Sequence, residues 1–341
     1  MIIQCPACQK KYQLPAGAAP ENRKFSITCP GCKHSFIVDP TTPENKKQIA
    51  GEEGNIASRG NELKKHILET VKSLPPVPEI LAKAQKVIKD PDSSADDIAN
   101  VIETDPAMAT RVLKLSNSAY YNLIRPVSSI RHACMILGQG NLLSLITVIS
   151  TSKMLGKNLD GYGINSGALL KHSLAVATCS QIIAKRKAPD LENDAFTAGL
   201  LHDSGKIILD EYLKSIKEEF HSKMNSENMT FLMAEQSILG FDHSGIAYDF
   251  CKIWNIPEIQ AHAIKFHHYP SLSGQNELAY ILHLSDYIAK KIGFATTATD
   301  RETYPIEKET LEVLDLTQDD IAELEERTIE SATAIIQGLS G

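Results

Sequence analysis

Two rhythms of apolar and polar residues divide this chain of 341 residues. From Asn61 onward apolar residues recur every three or four positions, the period of an α-helix. Ile80, Ala84, Val87 and Ile88 form one stripe behind Pro78, a residue suited to a first turn. Ser94 with Asp97 predicts a capping box that opens a helix through Ile98, Val101 and Ile102. Asp105-Pro106 starts the next helix, through Met108, Val112 and Leu115, and Ile130, Ala133, Cys134 and Leu137 make another that Gly138 stops. Leu142 to Ile149 is apolar nearly all round, which predicts a buried central helix. With no alternating run long enough for a sheet core, this body is predicted to be all-α.

The N-terminus follows the other rhythm. Met1-Ile2-Ile3-Gln4 and Phe25-Ser26-Ile27-Thr28 read as short strands, each running into a C-x-x-C knuckle, Cys5-Pro-Ala-Cys8 and Cys29-Pro-Gly-Cys32. Paired knuckles at this spacing predict one tetrahedral four-thiolate zinc site, with each knuckle at a hairpin turn. Tyr12 and Phe36 are placed to cap a core too small to hold without metal. A pair of disulfides is the alternative, and a reducing compartment argues against it. The segment resembles the zinc-ribbon finger found at the N-terminus of bacterial regulatory proteins. Cys134, Cys179 and Cys251 lie singly in apolar helical patterns, where a thiol acts as a small hydrophobe.

Between Asp39 and Gly60 apolar periodicity disappears into Pro, Gly and polar residues, which predicts a flexible linker. The expected organisation is a β zinc ribbon over 1–38, a linker over 39–60, a helical domain over 61–293, and an acidic helical extension over 294–341. In the extension, Thr317 with Asp320 suggests a helix start, with Ile321, Leu324 and Ile329 as its apolar face. Packing on the body is the expected role of that helix.

Net charge of −7 argues against a wholesale nucleic-acid or anionic-membrane binder. Lys10, Lys11, Arg23, Lys24 and Lys33 against Glu21 nevertheless leave the finger basic. A basic ribbon can touch nucleic acid or an acidic protein, although its charges are few and not interleaved with an aromatic face. The longest apolar run, Leu142 to Ile149, is too short for a membrane span, and no secretory signal is visible. A cytoplasmic location is expected.

Candidate chemistry lies in the helical body, in His172, the doublet His202-Asp203, His243, the pair His267-His268, and Asp286. Neutral imidazoles with carboxylates suit a divalent metal such as Mn, Fe, Ni, Zn or Mg. His202-Asp203 ends an apolar run and is followed by Ser204-Gly205-Lys206, where the glycine reads as a helix break and the lysine as a group able to meet an anion. Adjacent helical positions diverge by about 100°, so both ligands reach one ion only near a helix end. The alternative for each histidine is a hydrogen-bonded core or interhelix residue, and for Lys206 a solvated helix-end cation.

This doublet resembles that of the HD superfamily. A closer resemblance runs over about residues 66–290. Leu74-Pro75-Pro76-Val77-Pro78, Asp105-Pro106, Asn117-Ser118-Ala119 and Leu137-Gly138, then Lys171-His172-Ser173, Ala198 to Asp203, Glu235, Leu239 to His243, Trp254 to Pro257 and His267-His268 are similar to the HDOD family. The resemblance implies an HD-like helical bundle and a role in bacterial signal transduction, in a family often regarded as lacking catalysis. The HD enzymes' metal ligands carry over to His172, His202, Asp203 and Asp286, and a second metal's to His243, His267 and His268. The Gly-Tyr-Pro signature of cyclic-dinucleotide phosphodiesterases is missing after His267-His268, where Tyr269-Pro270-Ser271 stands instead.

The expectation is a non-catalytic output module that acts by contact with a signalling protein, with the finger for docking. The alternative is a metal-dependent phosphohydrolase acting on a nucleotide or related ester, in which Lys206 steadies the oxyanion. A regulator linked to nucleic acid through the ribbon is the third reading. Oligomeric state is not legible.

Overall fold

The computed structural model describes residues 2–13, 25–29, 31–32, 34–38, 62–67, 69, 79–88, 90, 92–227, 229–298, 300 and 306–340. The expected linker over 39–60 and the Leu74-to-Pro78 motif lie outside these residues.

The finger is a pair of antiparallel hairpins. Strand β1 (Ile2–Gln4) pairs with β2 (Lys11–Gln13), placing Ile3 opposite Tyr12, and β3 (Phe25–Thr28) pairs with β4 (Ser35–Val38), placing Ile27 opposite Phe36. Each knuckle forms the turn of its hairpin, and both close with the same backbone bond: Cys5 N–H donates to Lys10 O and Cys29 N–H to His34 O, each at 2.9 Å. Among its described side chains Cys5, Ile27, Cys29 and Val38 are buried, with Cys8 and Phe36 packed beside them. Met233 from the helical body also touches this cluster.

The described body is built of helices joined by loops, begins with a helical stretch at 62–67, and contains one isolated β-bridge, between Leu159 and Ile164. Its first half is α1 (Glu79–Ile88), α2 (Ala95–Glu103), α3 (Pro106–Ser116), α4 (Ile130–Leu137) and α5 (Gln139–Leu155). Local signals set these boundaries. Ser94 and Asp97 make the reciprocal capping box on α2, and Asp105 caps α3 through the N–H groups of Ala107 and Met108 with Pro106 at its first position. Gly138, at φ 81°, ends α4 and opens α5. Helix α5 buries Leu142, Leu145, Ile146, Val148 and Ile149, as its apolar run predicts.

The second half holds α6 (Ala168–Lys187), α7 (Glu192–Leu201), α8 (Ser204–Ser215), α9 (Lys217–Glu227), α10 (Phe231–Leu239), α11 (His243–Ile253), α12 (Glu258–Phe266) and α13 (Glu277–Ala289). Two glycines set its closest approaches. A Cβ on Gly199 would lie 2.7 Å from Ala177 Cα, and one on Gly205 only 2.0 Å from His243 O. Gly205 therefore sits inside α8 as a contact residue and breaks no helix. The break falls earlier, at His202-Asp203, between the last residue of α7 and the first of α8.

After α13 the chain turns at Gly293, φ 100°, and runs on toward α14 (Lys308–Val313) and α15 (Gln318–Ser340). Thr317 and Asp320 cap each other at the start of α15. Ile321, Leu324, Thr328, Ala332 and Ile335 are its buried residues along one helical face. Ile329 points away and is 45% exposed, so the apolar face runs through Thr328 instead. Arg186 of α6 meets Asp320 at 2.6 Å. No helix among the described residues is long and apolar enough to cross a membrane.

Candidate metal centre

Five segments bring their polar side chains to one buried point. His172 comes from the second turn of α6, His202 and Asp203 from the α7–α8 break, His243 from the first turn of α11, His267 and His268 from the end of α12, and Asp286 from α13. The α7–α8 break resolves the geometric difficulty of the doublet. His202 keeps helical angles (φ −54°, ψ −38°), whereas Asp203 departs from them (φ −98°, ψ 6°), so two neighbours reach the same centre.

Hydrogen bonds at the backs of the rings fix which nitrogen faces inward. His172 Nδ1–H donates to Phe294 O at 3.0 Å, His202 Nδ1–H to Gly199 O at 2.7 Å, and His267 Nδ1–H to Ile264 O at 2.6 Å. Only an N–H can meet a carbonyl oxygen, so Nδ1 carries a proton in all three rings and Nε2 is the nitrogen turned to the centre. Ligand-like histidines are commonly held in this way by an outer acceptor. His243 is held instead by a carboxylate: its Nδ1 lies 2.8 Å from Glu235 Oε2, and Tyr162 O–H donates to Glu235 Oε1 at 2.8 Å.

The inward atoms converge. His172 Nε2 lies 3.1 Å from Asp286 Oδ1 and 3.6 Å from Asp203 Oδ2, and His202 Nε2 lies 3.6 Å from that same Asp203 oxygen. One donor atom each from His172, His202 and Asp203 falls within 4.8 Å of the others, and so do those of His202, His267 and Asp286 and those of His243, His267 and His268. The three sets share members, so the predicted ligands form one connected cluster. His243 Nε2 stands 3.2 Å from Asp203 Oδ1 and 2.9 Å from His268 Nε2.

Burial governs the charge states. It pushes His202 down to about 4 and His267 and His268 well below the ordinary imidazole value, which keeps these rings neutral. Burial opposes ionisation of Asp203, but Lys206, His202 and His243 outweigh it and hold the carboxyl well below its usual range. Lys290 and His172 do the same for Asp286. For His243 burial again opposes the charge, and Glu235 overcomes it and raises the ring to about 9.

The donor set fits a divalent metal. Buried polar atoms normally find hydrogen-bond partners, yet His202 Nε2 and His267 Nε2 have none among the described residues, and both rings contribute donor atoms within 4.8 Å of an Asp286 oxygen. Imidazole nitrogens mixed with carboxylate oxygens suit Zn, Mn, Fe or Ni. In the finger, the sulfur pairs Cys5–Cys32 and Cys8–Cys29 stand 3.5 Å apart. That exceeds the ~2.05 Å of a disulfide and approaches the ~3.8 Å edge of a tetrahedron with Zn–S bonds of ~2.3 Å. All four sulfurs form one cluster.

Lys206 is only 2% exposed, and its Nζ lies 2.6 Å from Asp203 Oδ2. It is neither solvated nor turned to an outside anion. Sequence reading assigned no site role to Glu235, Lys290, Asp300 or His283. Lys290 lies one helical turn beyond Asp286, a spacing that signals a pair. Glu235 sits in a quoted motif without a stated partner. His283 donates Nδ1–H to His267 O at 2.8 Å and accepts the N–H of Glu307 at 3.1 Å, so it supports the end of α12.

An all-helical body that gathers histidines and aspartates around a His-Asp doublet defines an HD-like bundle. The HDOD domain profile matches residues 74–270 and a zinc-ribbon profile matches residues 1–37. This chain belongs to the HDOD family. A Geobacter sulfurreducens HDOD domain protein of unknown function superposes with a TM-score of 0.65 at 23% identity, over 83% of this chain and 99% of that one. A Shewanella amazonensis SB2B protein, provisionally named a phosphohydrolase, gives 0.59 at 21% over 79% and 97%. A Marinobacter aquaeolei VT8 protein, provisionally named a signal transduction protein, gives 0.65 at 20% over 89% and 68%. These likenesses establish the fold. An uncharacterized protein of Treponema pallidum (strain Nichols) is 24% identical over 219 residues, 62% of this chain. The chain spans 41% of the length of that relative.

Proposed function

We propose that this chain is a bacterial regulatory output module that works by contact with a signalling protein and does not turn over a substrate, with the zinc finger as its docking element. One observation carries the reading: the side chains of His172, His202, Asp203, His267 and Asp286 are at most 1% exposed. A phosphate ester needs an open approach to its catalytic groups, and these five side chains offer it almost no exposed surface. Lys206, the group an oxyanion would use, is already spent on Asp203.

The second reading is a metal-dependent phosphohydrolase, favoured by the inward Nε2 atoms of His202 and His267. His172, His202, Asp203 and Asp286 would hold a divalent cation, with His243, His267 and His268 as ligands for a second. Such a cation supplies Lewis acidity toward a phosphate oxygen. In either reading the protein's own contribution is to keep three rings in one tautomer and to hold two carboxylates ionised in a dry interior.

The experiment is a turnover assay of the full chain with Mn, Fe or Ni on generic phosphodiesters and nucleotides, beside His202→Ala and Asp203→Ala. The module reading expects rates at background for all three proteins. Metal-dependent turnover by the parent that both substitutions abolish would replace it with the hydrolase reading.

A further inference from the structure

Two ammonium groups and a third carboxylate lie beside the histidine cluster. Lys206 Nζ is 2.6 Å from Asp203 Oδ2, the same oxygen that stands 3.6 Å from both His172 Nε2 and His202 Nε2. Lys290 Nζ is 3.0 Å from Asp286 Oδ2 and 3.4 Å from Asp300 Oδ1. Asp300 also accepts from the N–H and O–H of Thr296. The chain brings it there by turning at Gly293, the same turn that carries Phe294 O to His172. The side chains of Lys206, Lys290 and Asp300 are all at most 7% exposed.

Charge in such an interior must balance, because an uncompensated buried ion costs several kcal/mol. Among the described residues, Asp203, Asp286 and Asp300 carry three negative charges against two positive charges on Lys206 and Lys290, leaving one negative charge, and the adjoining His243–Glu235 pair adds no net charge. A divalent cation would leave one positive charge. Removing Lys206 would change that pair of states to two negative charges without the cation and none with it. Removing the charge of Asp300 would change it to neutral without the cation and two positive charges with it. The two residues therefore act in opposite senses on the same equilibrium.

We propose that Lys206 is a built-in competitor for the divalent-cation position of His172, His202 and Asp203, and that Asp300 is the carboxylate that makes cation entry tolerable. The ammonium of Lys206 sits on the Asp203 oxygen that completes the His172–His202–Asp203 set, so a cation must either displace it or share that oxygen against its repulsion. Asp300 tightens cation binding without needing to touch the cation, through its charge next to Lys290. The occupancy of this site is then set by these two residues as well as by the ligands. The proposal rests on the cluster being a cation site, and it holds whether or not the chain turns over an ester.

The test is Mn binding by the full chain with its finger loaded with zinc, followed by calorimetry and by the electron paramagnetic resonance of free Mn. Manganese is chosen because it prefers oxygen and imidazole ligands to thiolates. Lys206→Met is expected to bind Mn at least about tenfold tighter than the parent, and Asp300→Asn at least about tenfold weaker, from the effect of one buried unit charge a few ångströms away. Mn is also expected to raise the melting temperature of Lys206→Met more than that of the parent. If Lys206→Met folds only when Mn is present, that rescue is the same result in stronger form. Affinity in Lys206→Met no tighter than in the parent, or no Mn binding by either, overturns the proposal. So does Asp300→Asn binding as tightly as the parent. If Lys206→Met stays unfolded even with Mn, Lys206→Gln is read by the same criteria. Turnover plays no part in these readouts, so failure here is distinct from failure of the module reading.

Discussion

Among the described side chains, the finger's cysteines lie against Ile27, Val38 and Phe36, whereas the histidine–aspartate cluster lies inside the large helical core. Both regions gather ligands from separate segments, but they depend on a cation to different degrees. A unit of this size buries too little apolar surface to offset its chain entropy, so four converging thiolates must supply the missing stability. The helical body already has its core, and its buried carboxylates already have Lys206 and Lys290. Converging ligands therefore mean a folding requirement in one region and, in the other, a cluster set in a core that is already stabilised. The surroundings decide which.

The sharpest way to break that contrast is to remove one finger ligand. Cys29→Ser should leave residues 1–38 without fixed structure, as read by loss of their amide dispersion in NMR, while the body melts within a degree or two of the parent. Among the described residues, α10 meets the finger through Met233 at its cluster and beside β2, too small a contact to transmit the loss. A body that unfolds along with the finger would show that the two regions depend on each other.

Next in size is the body's internal neutralisation. Lys206→Ala leaves the buried Asp203 without its ammonium and should cost about 3–5 kcal/mol in chemical denaturation. A cost below about 1 kcal/mol would mean that the ion pair does not support the body. Gly205→Ala tests the packing that holds the site, since its Cβ would fall 2.0 Å from His243 O. We expect a loss of about 1–3 kcal/mol from forcing α8 away from α11.

A smaller effect depends on pH. Burial raises the Glu307 carboxyl from its ordinary 4.5 to about 7, although its bonds from Ser271 oppose the rise. A carboxyl with a raised folded-state pKa contributes stability that is full below the unfolded value and is lost as pH rises through the folded one. The parent should therefore lose stability between about pH 4.5 and 7, and Glu307→Gln should flatten that slope when melting is followed across the range. Smallest is Ser94→Ala, which removes the capping box of α2 and should cost about 1 kcal/mol.

How much of this was legible in the sequence depends on the range over which each signal acts. The α2 capping box, Pro106 at the head of α3 and the stop at Gly138 are local and stand where the pattern places them. The paired knuckles are legible because thiolate chemistry fixes their spacing. The convergence of His172, His202, Asp203 and Asp286 is legible through the resemblance to the HD enzymes, since no periodicity joins three separate segments. Asp300 was not legible, because it reaches the cluster only through the turn at Gly293. Gly205 read as a helix break, because sequence alone does not distinguish a glycine that ends a helix from one that admits a neighbouring backbone. Ile329 read as buried because apolar character was weighed above the helical face, which passes through Thr328 instead.

The most direct test of the contrast is hydrogen exchange of the intact chain before and after treatment with a strong chelator. Amides of β1 to β4 should lose protection, while those of α6, α8 and α13, which carry the buried cluster, keep theirs. Equal loss of protection in α6, α8 and α13 would contradict the account, because it would show that a metal, and not the lysine–aspartate pairs, holds the centre of the body together.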